Sequence, residues 1–371
     1  MIGSGKPYLP AGTWQLGLSA RILTSDKHYN LDERQYERQE RGNFVTNRQR
    51  QYELSATYAV RDDFTLTLSI PYVRSSWQIN TRPGFFTGDP QTPGTDVIDL
   101  RGSGIGDISL VGRWWLGNTD QYLDENVSLG FGVKLPTGDE DDSVATTDFT
   151  GLNPMRRYSD SSVQPGTGGY GLVFDILAFK RIQDVTFSLA AAYLAEPRDT
   201  NGTPSILQTL GIPPNPAQAN ILVNSAPDTY FARFGLLGPV GDKGVNLSLA
   251  YRIEGSPRKD LFGGSNGFRR PGYATFLEPG VVYSNGQHTF ALSIPIAHHR
   301  FRALNSTPNP VTGDFDRGDA TFPDYMVLAN YTYRFGNPKA GPSTPPGAVP
   351  CTPGEPPEEH ARHAVEGLPT P

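Results

Sequence analysis

The sequence holds one cysteine and three methionines in 371 residues. A single thiol cannot build a disulfide framework or a Cys-based zinc site, so no metal or redox chemistry announces itself and no cofactor is expected. No apolar run approaches the roughly 18 residues that a bilayer-crossing helix needs. Nor is there a basic excess: 32 Lys and Arg stand against 38 Asp and Glu, a net charge of −6 spread along the chain, which argues against a nucleic-acid partner. The opening MIGSGKPYLPAGTW shows no leader pattern, so the sequence reads either as a mature chain or as one whose start is misplaced, and this is the feature that argues most against export. Mean hydropathy is −0.42, a value shared by water-soluble proteins. Transmembrane barrels share it too, because polar lumen positions alternate with apolar lipid positions.

What the sequence has in quantity is 41 Gly and 33 Pro, which disfavour helices, and 17 Tyr with 19 Phe, which suit strands and membrane-interface belts. The dominant signal is period-two alternation in segments of about ten residues, the length of a tilted transmembrane strand. Trp14, Leu16, Leu18, Ala20 and Ile22 share one face, while Gln15, Gly17, Ser19 and Arg21 share the other. Tyr52, Leu54, Ala56 and Tyr58 oppose Gln51, Glu53, Ser55 and Thr57, and after Arg61-Asp62-Asp63 the alternation resumes from Phe64 to Tyr72, which predicts a tight hairpin. Further segments begin near Ile108, Val127, Tyr170, Val185, Tyr230, Val245, Ala274, His288 and Tyr325, about twelve in all, an even number as in single-chain bacterial barrels.

Connection lengths alternate short and long. Short ones fall at 61–63, 117–125, 181–184, 239–244 and 284–287, and long ones at 24–50, 74–104, 137–167, 196–228, 255–273 and 298–323. Short periplasmic turns with long extracellular loops are the asymmetry of outer-membrane barrels, and a soluble sandwich or propeller does not explain it. The expectation is an all-β, transmembrane antiparallel barrel of about twelve strands over residues 1–335, in the bacterial outer membrane, with both termini periplasmic. The segment Tyr325–Phe335 alternates aromatics and ends on Phe, like the final strand of outer-membrane proteins. Residues 336–371 are Pro-rich with little to bury, so they read as a disordered periplasmic tail, with a periplasmic partner as one use for it.

The inward face carries Arg21, Arg113, Lys134, Arg233, Arg252 and Arg334 against Glu53, Asp107, Asp175, Glu254 and Glu278. A dry core does not hold so many charges unpaired, whereas a wet or salt-bridged lumen does. The lumen arginines either set an anion preference or brace the wall by pairing with carboxylates such as Asp175, and Asp107 is expected to meet a lumen arginine.

Gly102-Ser103-Gly104-Ile105-Gly106 lacks the βαβ setting of a nucleotide loop and reads as a strand entry. Gly138-Asp139-Glu140-Asp141-Asp142 concentrates carboxylates without EF-hand spacing, so a solvated acidic loop is favoured over a calcium site. His298 and His299, beside Arg300 and Arg302, read as an interfacial basic cluster facing lipopolysaccharide, since no nucleophile and orienting carboxylate accompany them. The segment Asp260 to Tyr273, DLFGGSNGFRRPGY, is a patterned loop with no assignable chemistry.

Gly104-Ile105-Gly106-Asp107-Ile108-Ser109-Leu110, Gly130-Phe131-Gly132-Val133-Lys134-Leu135-Pro136-Thr137-Gly138-Asp139 and Gln164-Pro165-Gly166-Thr167-Gly168 together resemble the outer-membrane transporter family named for the meta pathway of phenol degradation. The resemblance implies a barrel that imports small aromatic or other apolar compounds. The expected function is therefore a channel or uptake porin for small solutes, not an enzyme, surrounded by outer-membrane lipid and lipopolysaccharide. A sleeve around another protein and a lipid-modifying barrel enzyme are the alternatives.

Overall fold

A computed structural model describes residues 8–80, 97–147, 153–209, 216–241 and 243–338. Twelve antiparallel staves form the wall: β1 (Trp14–Asn30), β2 (Val45–Arg61), β3 (Phe64–Asn80), β4 in two segments (Val97–Ile105 and Ser109–Trp115), β5 (Glu125–Lys134), β6 (Gly171–Ile182), β7 (Val185–Ala195), β8 (Thr229–Pro239), β9 (Val245–Ser256), β10 (Gly272–Asn285), β11 in two segments (His288–Ser293 and Ile296–Arg302) and β12 (Ala320–Phe335). Each stave pairs with its sequence neighbours, and β12 returns to β1 from Trp14↔Phe335 to Tyr29↔Ala320, closing the barrel. Through the turn-end half, where every stave is laddered on both sides, closure leaves no unpaired strand edge, which a sheet in hydrocarbon requires.

The alternation is realised as two faces. Along β5 every second residue is exposed (Val127, Leu129, Phe131, Val133) and every intervening one is buried (Asn126, Ser128, Gly130, Gly132, Lys134). Leu16, Leu18, Leu54, Leu68, Phe234, Leu247 and Leu249 extend the same apolar exterior around the barrel. Aromatics rim it at the turn end, where Trp14 meets Tyr58 with ring centroids 4.7 Å apart and Phe64 stacks on Trp114 at 4.1 Å. An apolar band with an aromatic girdle is the surface a lipid bilayer selects.

Turn-end connections are tight. Asp62-Asp63, Gln183-Asp184 and Gly286-Gln287 are two-residue loops between paired residues. Gln183 and Gly286 have φ of 54° and 57°, the positive values that twist-matched hairpin turns demand. The long connections all leave from the opposite end, termed the loop end.

Three features depart from expectation. Staves run further toward the loop end than the alternation does: β1 reaches Asn30 and β2 begins at Val45. There the strands carry polar residues on both faces, as in Thr46 to Gln51, so period two no longer marks them. The 74–104 stretch is likewise no simple loop, because Val97–Ile105 is the loop-end half of β4, hydrogen-bonded to β3. In β11, Ile294 and Pro295 interrupt the strand, Pro295 having no N–H for the ladder.

Candidate functional site: the barrel lumen

Two cavities lie one above the other inside the wall. The loop-end cavity has a volume of 740 Å³ and is lined by aromatic side chains, among them Trp77, Tyr230, Phe231, Phe268 and Phe276. The turn-end cavity has a volume of 620 Å³, with Trp115, Leu177 and Phe179 on one side and Gln15, Gln51 and Asn330 on another. Both are larger than the roughly 150 Å³ that holds a benzene ring.

Between them runs a chain of alternating charge. Arg21 of β1 bonds Glu254 of β9 across the lumen. Arg252 lies 2.8 Å from the other oxygen of Glu254 and 3.9 Å from Glu278, and Arg233 lies 2.9 Å from Glu278. Three guanidinium groups thus share two carboxylates. Lower down, Arg113 grips Asp175 at 3.0 Å, Arg334 donates to Gln15 Oε1 at 2.9 Å, and Glu53 lines the turn-end cavity.

Asp107 does not meet an arginine: its partner is Lys134, at 2.7 Å, and neither residue lines either of these two cavities. The correction has a structural cause, because the three glycine motifs converge into one buried knot in the wall. Asp107 sits in the gap between the two segments of β4, where it accepts the backbone N–H groups of Gly138 and Thr167, both at 3.0 Å. Thr137 donates to the Gly106 carbonyl at 2.9 Å, and the Gly166 N–H bonds the Asp139 carbonyl at 2.9 Å. Gly138 and Gly166 touch through backbone atoms, so any Cβ there meets the other strand of the knot. Lys134 passes over Gly171 to reach Glu196, whose carboxylate is fully buried at 2.8 Å from the ammonium. Burial pushes the Glu196 carboxyl above its ordinary pKa, against the pull of Lys134 and Thr167.

The loops turn inward over the loop end. Val163, Ile206, Leu207 and Phe268 pack with Trp77, Ile79, Ile98 and Leu100 of the wall. The patterned loop supplies the polar clasp: Arg269 pairs with Asp260 at 2.5 Å, and Arg270 reaches Asp160 of another loop at 2.7 Å. Asp160 is fully buried, and although burial alone raises its pKa, Arg270 and hydrogen bonds from Ser162 hold it below the usual carboxylate range. The sequence shows no sign of a role for Asp160 or Glu196, and marks Asp260 only as the start of a patterned loop. Their signal was faint, since an acidic residue in a polar loop looks solvated until its buried arginine is known. The first described residues were also missed as part of the lumen: Tyr8 packs on Trp115 and Phe179 and is bonded by Asn126 at 2.9 Å, and Leu9 lines the turn-end cavity.

The expected basic cluster is split. Arg302 is buried and donates to the Pro271 and Arg269 carbonyls and to Asn305, so it is no surface cation. Arg300 pairs with Asp324 at 2.7 Å. His298 and His299 lie by Thr275 and Tyr273, at 3.1 and 3.4 Å. His28 does meet a carboxylate, Asp319, through Nδ1 at 3.1 Å, but its Nε2 accepts the Val45 N–H at 2.8 Å, so neither ring nitrogen is free to act as a base. In the acidic loop, Asp139 accepts the Asp141 N–H and Asp142 accepts the Ser103 N–H. Among the described residues no group of three or more His, Cys, Asp or Glu is placed to hold a metal ion.

A closed, nearest-neighbour barrel of twelve staves, apolar outside and charged inside, defines a transmembrane β-barrel of the outer-membrane type. Its fold is similar to that of an outer membrane channel from Pseudomonas putida F1, at a TM-score of 0.51 and 11% identity over 90% of this chain and 100% of that one. At TM-scores of 0.41 and 0.40 stand a FadL homologue from Pseudomonas aeruginosa (9% identity, 86% of this chain, 90% of that) and the toluene transporter of Ralstonia pickettii (9% identity, 89% of this chain, 92% of that). At such identities the first likeness establishes the fold alone, and no argument rests on the other two. No family model and no curated protein matches the sequence.

Proposed function

We propose that the protein is a passive outer-membrane channel for small solutes with apolar, chiefly aromatic, bodies. The observation that carries this reading is the pair of stacked cavities, 740 and 620 Å³, inside a closed barrel. Their walls combine aromatic and aliphatic surface with a few placed polar groups, the composition of small-molecule sites. The three glycine motifs that resemble the phenol-pathway transporter family form the wall knot at Asp107 and Lys134, and membership of that family is part of the proposal. So are the orientation, with the tight turns and both termini periplasmic, and the division into a barrel over 1–335 and a Pro-rich tail over 336–371 that is free to meet a periplasmic partner. Of that tail, residues 339–371 lie outside the described residues. The aromatic rims meet lipid, and the loop end meets lipopolysaccharide. A channel is favoured over an enzyme because both His28 ring nitrogens are engaged and His298 and His299 bond Thr275 and Tyr273, neither of which is an orienting carboxylate. It is favoured over a sleeve for another protein because the chain's own Val163, Ile206 and Phe268 pack inward against the wall at the loop end and leave cavities of small-molecule size.

The test is reconstitution. Liposomes carrying the purified protein are expected to admit phenol faster than protein-free liposomes, and planar bilayers to show discrete conductance steps. Neither effect in correctly folded protein would overturn the channel reading.

A further inference from the structure

The waist of the lumen is the charged chain from Arg21 to Arg233, and one side chain of it faces both cavities. Arg21 is the one residue that lines both cavities, among the described residues. It extends from β1 past β12, β11 and β10 to Glu254 on β9, a chord across the lumen rather than a contact along the wall. Glu254 is not held by Arg21 alone, since Arg252 donates to its other oxygen through Nε at 2.9 Å. Arg21 has fewer ties. Besides Glu254 it contacts the Met326 sulfur at 3.4 Å, and its Nε has no hydrogen-bond partner. A guanidinium offers five donors, so Arg21 has donors to spare at the boundary between the two cavities.

This asymmetry defines an exchange. When a carboxylate entering the loop-end cavity takes the place of Glu254 at Arg21, one charge-assisted pair replaces another. Glu254 keeps Arg252 as its partner, so no buried charge is left alone, the outcome that makes breaking an ion pair costly. A neutral solute offers no replacement and must part Arg21 from Glu254 without compensation. Phe231, which lines the same cavity and is only partly buried, supplies apolar surface for the rest of the molecule.

We propose that Arg21 is the gate of the lumen and that it opens to small aromatic carboxylates, which displace Glu254 as its partner. This deepens the channel reading and rests on it. The exchange differs from a static brace because Arg21 is the member of the charged waist that faces both cavities: once it follows the solute, the link from β1 to Glu254 across the lumen is open.

The experiment compares benzoate with benzamide, which has nearly the same shape and no charge, in liposome flux and planar-bilayer recordings. Wild type is expected to pass benzoate at least fivefold faster than benzamide. Arg21→Ala is expected to raise ion conductance at least twofold and to bring the benzoate-to-benzamide ratio close to one. Arg21→Lys, which keeps the charge but loses the forked donors, should retain part of the preference. Glu254→Gln should raise conductance while preserving the preference, because Arg21 remains. Slower electrophoretic mobility after boiling than before it verifies that each variant is folded. Equal passage of the two solutes by wild type, or an Arg21→Ala channel indistinguishable from wild type, overturns the gate while leaving the channel reading standing. Silence of every folded variant, Arg21→Ala included, removes the channel reading and the gate with it.

Discussion

Arg113 and Asp175 grip each other in a bidentate ion pair, at 3.1 and 3.0 Å, directly across Gly130, the β5 residue that is register partner to both. The glycine is what lets two side chains from β4 and β6 meet over the intervening stave. A Cβ at 130 would collide with the Asp175 carboxylate. Gly130→Ala is therefore expected to cost about 1–3 kcal/mol in a urea titration in detergent micelles, the usual scale for overpacking. Arg113→Gln, which leaves a mostly buried carboxylate unpaired, should cost a similar amount without moving the reversal potential in a salt gradient. The double variant should lose less than the sum, because both changes break one pair. Full additivity, or a shift toward cation preference in Arg113→Gln, would return Arg113 to the conduction path.

The exterior gives a second prediction. Phe131 is half exposed on the outer face of β5, between Leu129 and Val133. Phe131→Arg is expected to destabilise the barrel by about 2–4 kcal/mol, the range for a cation on the lipid face near the midplane. Gln51→Arg, on the inner face of β2 in the turn-end cavity, should change stability far less. Equal losses at the two sites would mean that residue 131 does not face lipid.

What the sequence disclosed and what it hid divide along one physical line. Lipid imposes alternation, so Leu16, Leu18, Leu54 and Leu68 announced their staves, and the inward set from Arg21 to Arg334 followed by parity. Above the band nothing imposes a period, and the polar run from Thr46 to Gln51 concealed that β2 was already a strand. Which inward charges meet was hidden for another reason: pairing depends on chords across the barrel, such as Arg21 to Glu254, that no spacing along the chain encodes. The Asp107 to Lys134 pair shows both sides. The motifs holding it were visible as glycine patterns, but their convergence required the loop from Gln164 to Gly168 to fold back into the gap in β4.

The end of the chain gives a third prediction. β12 pairs with β1 through Phe335, so the closing ladder is complete before the Pro-rich residues begin. A chain ending at Pro338 is expected to assemble in outer membranes and to keep its heat-modifiable mobility and its melting temperature within about 2 °C, since surface changes remote from packed elements usually stay within about 0.5 kcal/mol. Failure to insert would make the residues beyond 338 part of the barrel's assembly.

Acid should loosen the loop end, and the sign follows from Asp160. Its carboxyl is fully buried, and Arg270 with Ser162 holds its pKa below the ordinary value despite the opposing effect of burial. A depressed carboxyl contributes stability that is complete above the unfolded-state pKa of about 3.9 and is lost as pH falls through the lower folded-state value. Asp319, which lies by His28 and Arg38, is shifted in the same direction and adds to the effect in the same window. Limited proteolysis of the loop residues 160–168 with an acid-active protease should therefore be independent of pH from about 7 down to about 4 and accelerate below that, while the barrel itself stays intact. Asp160→Asn removes the charge that Arg270 holds, so it should cleave faster throughout and show a shallower rise in acid. If wild type and Asp160→Asn rise equally steeply below pH 4, the acid response lies elsewhere and the Asp160 to Arg270 pair does not hold the loop down.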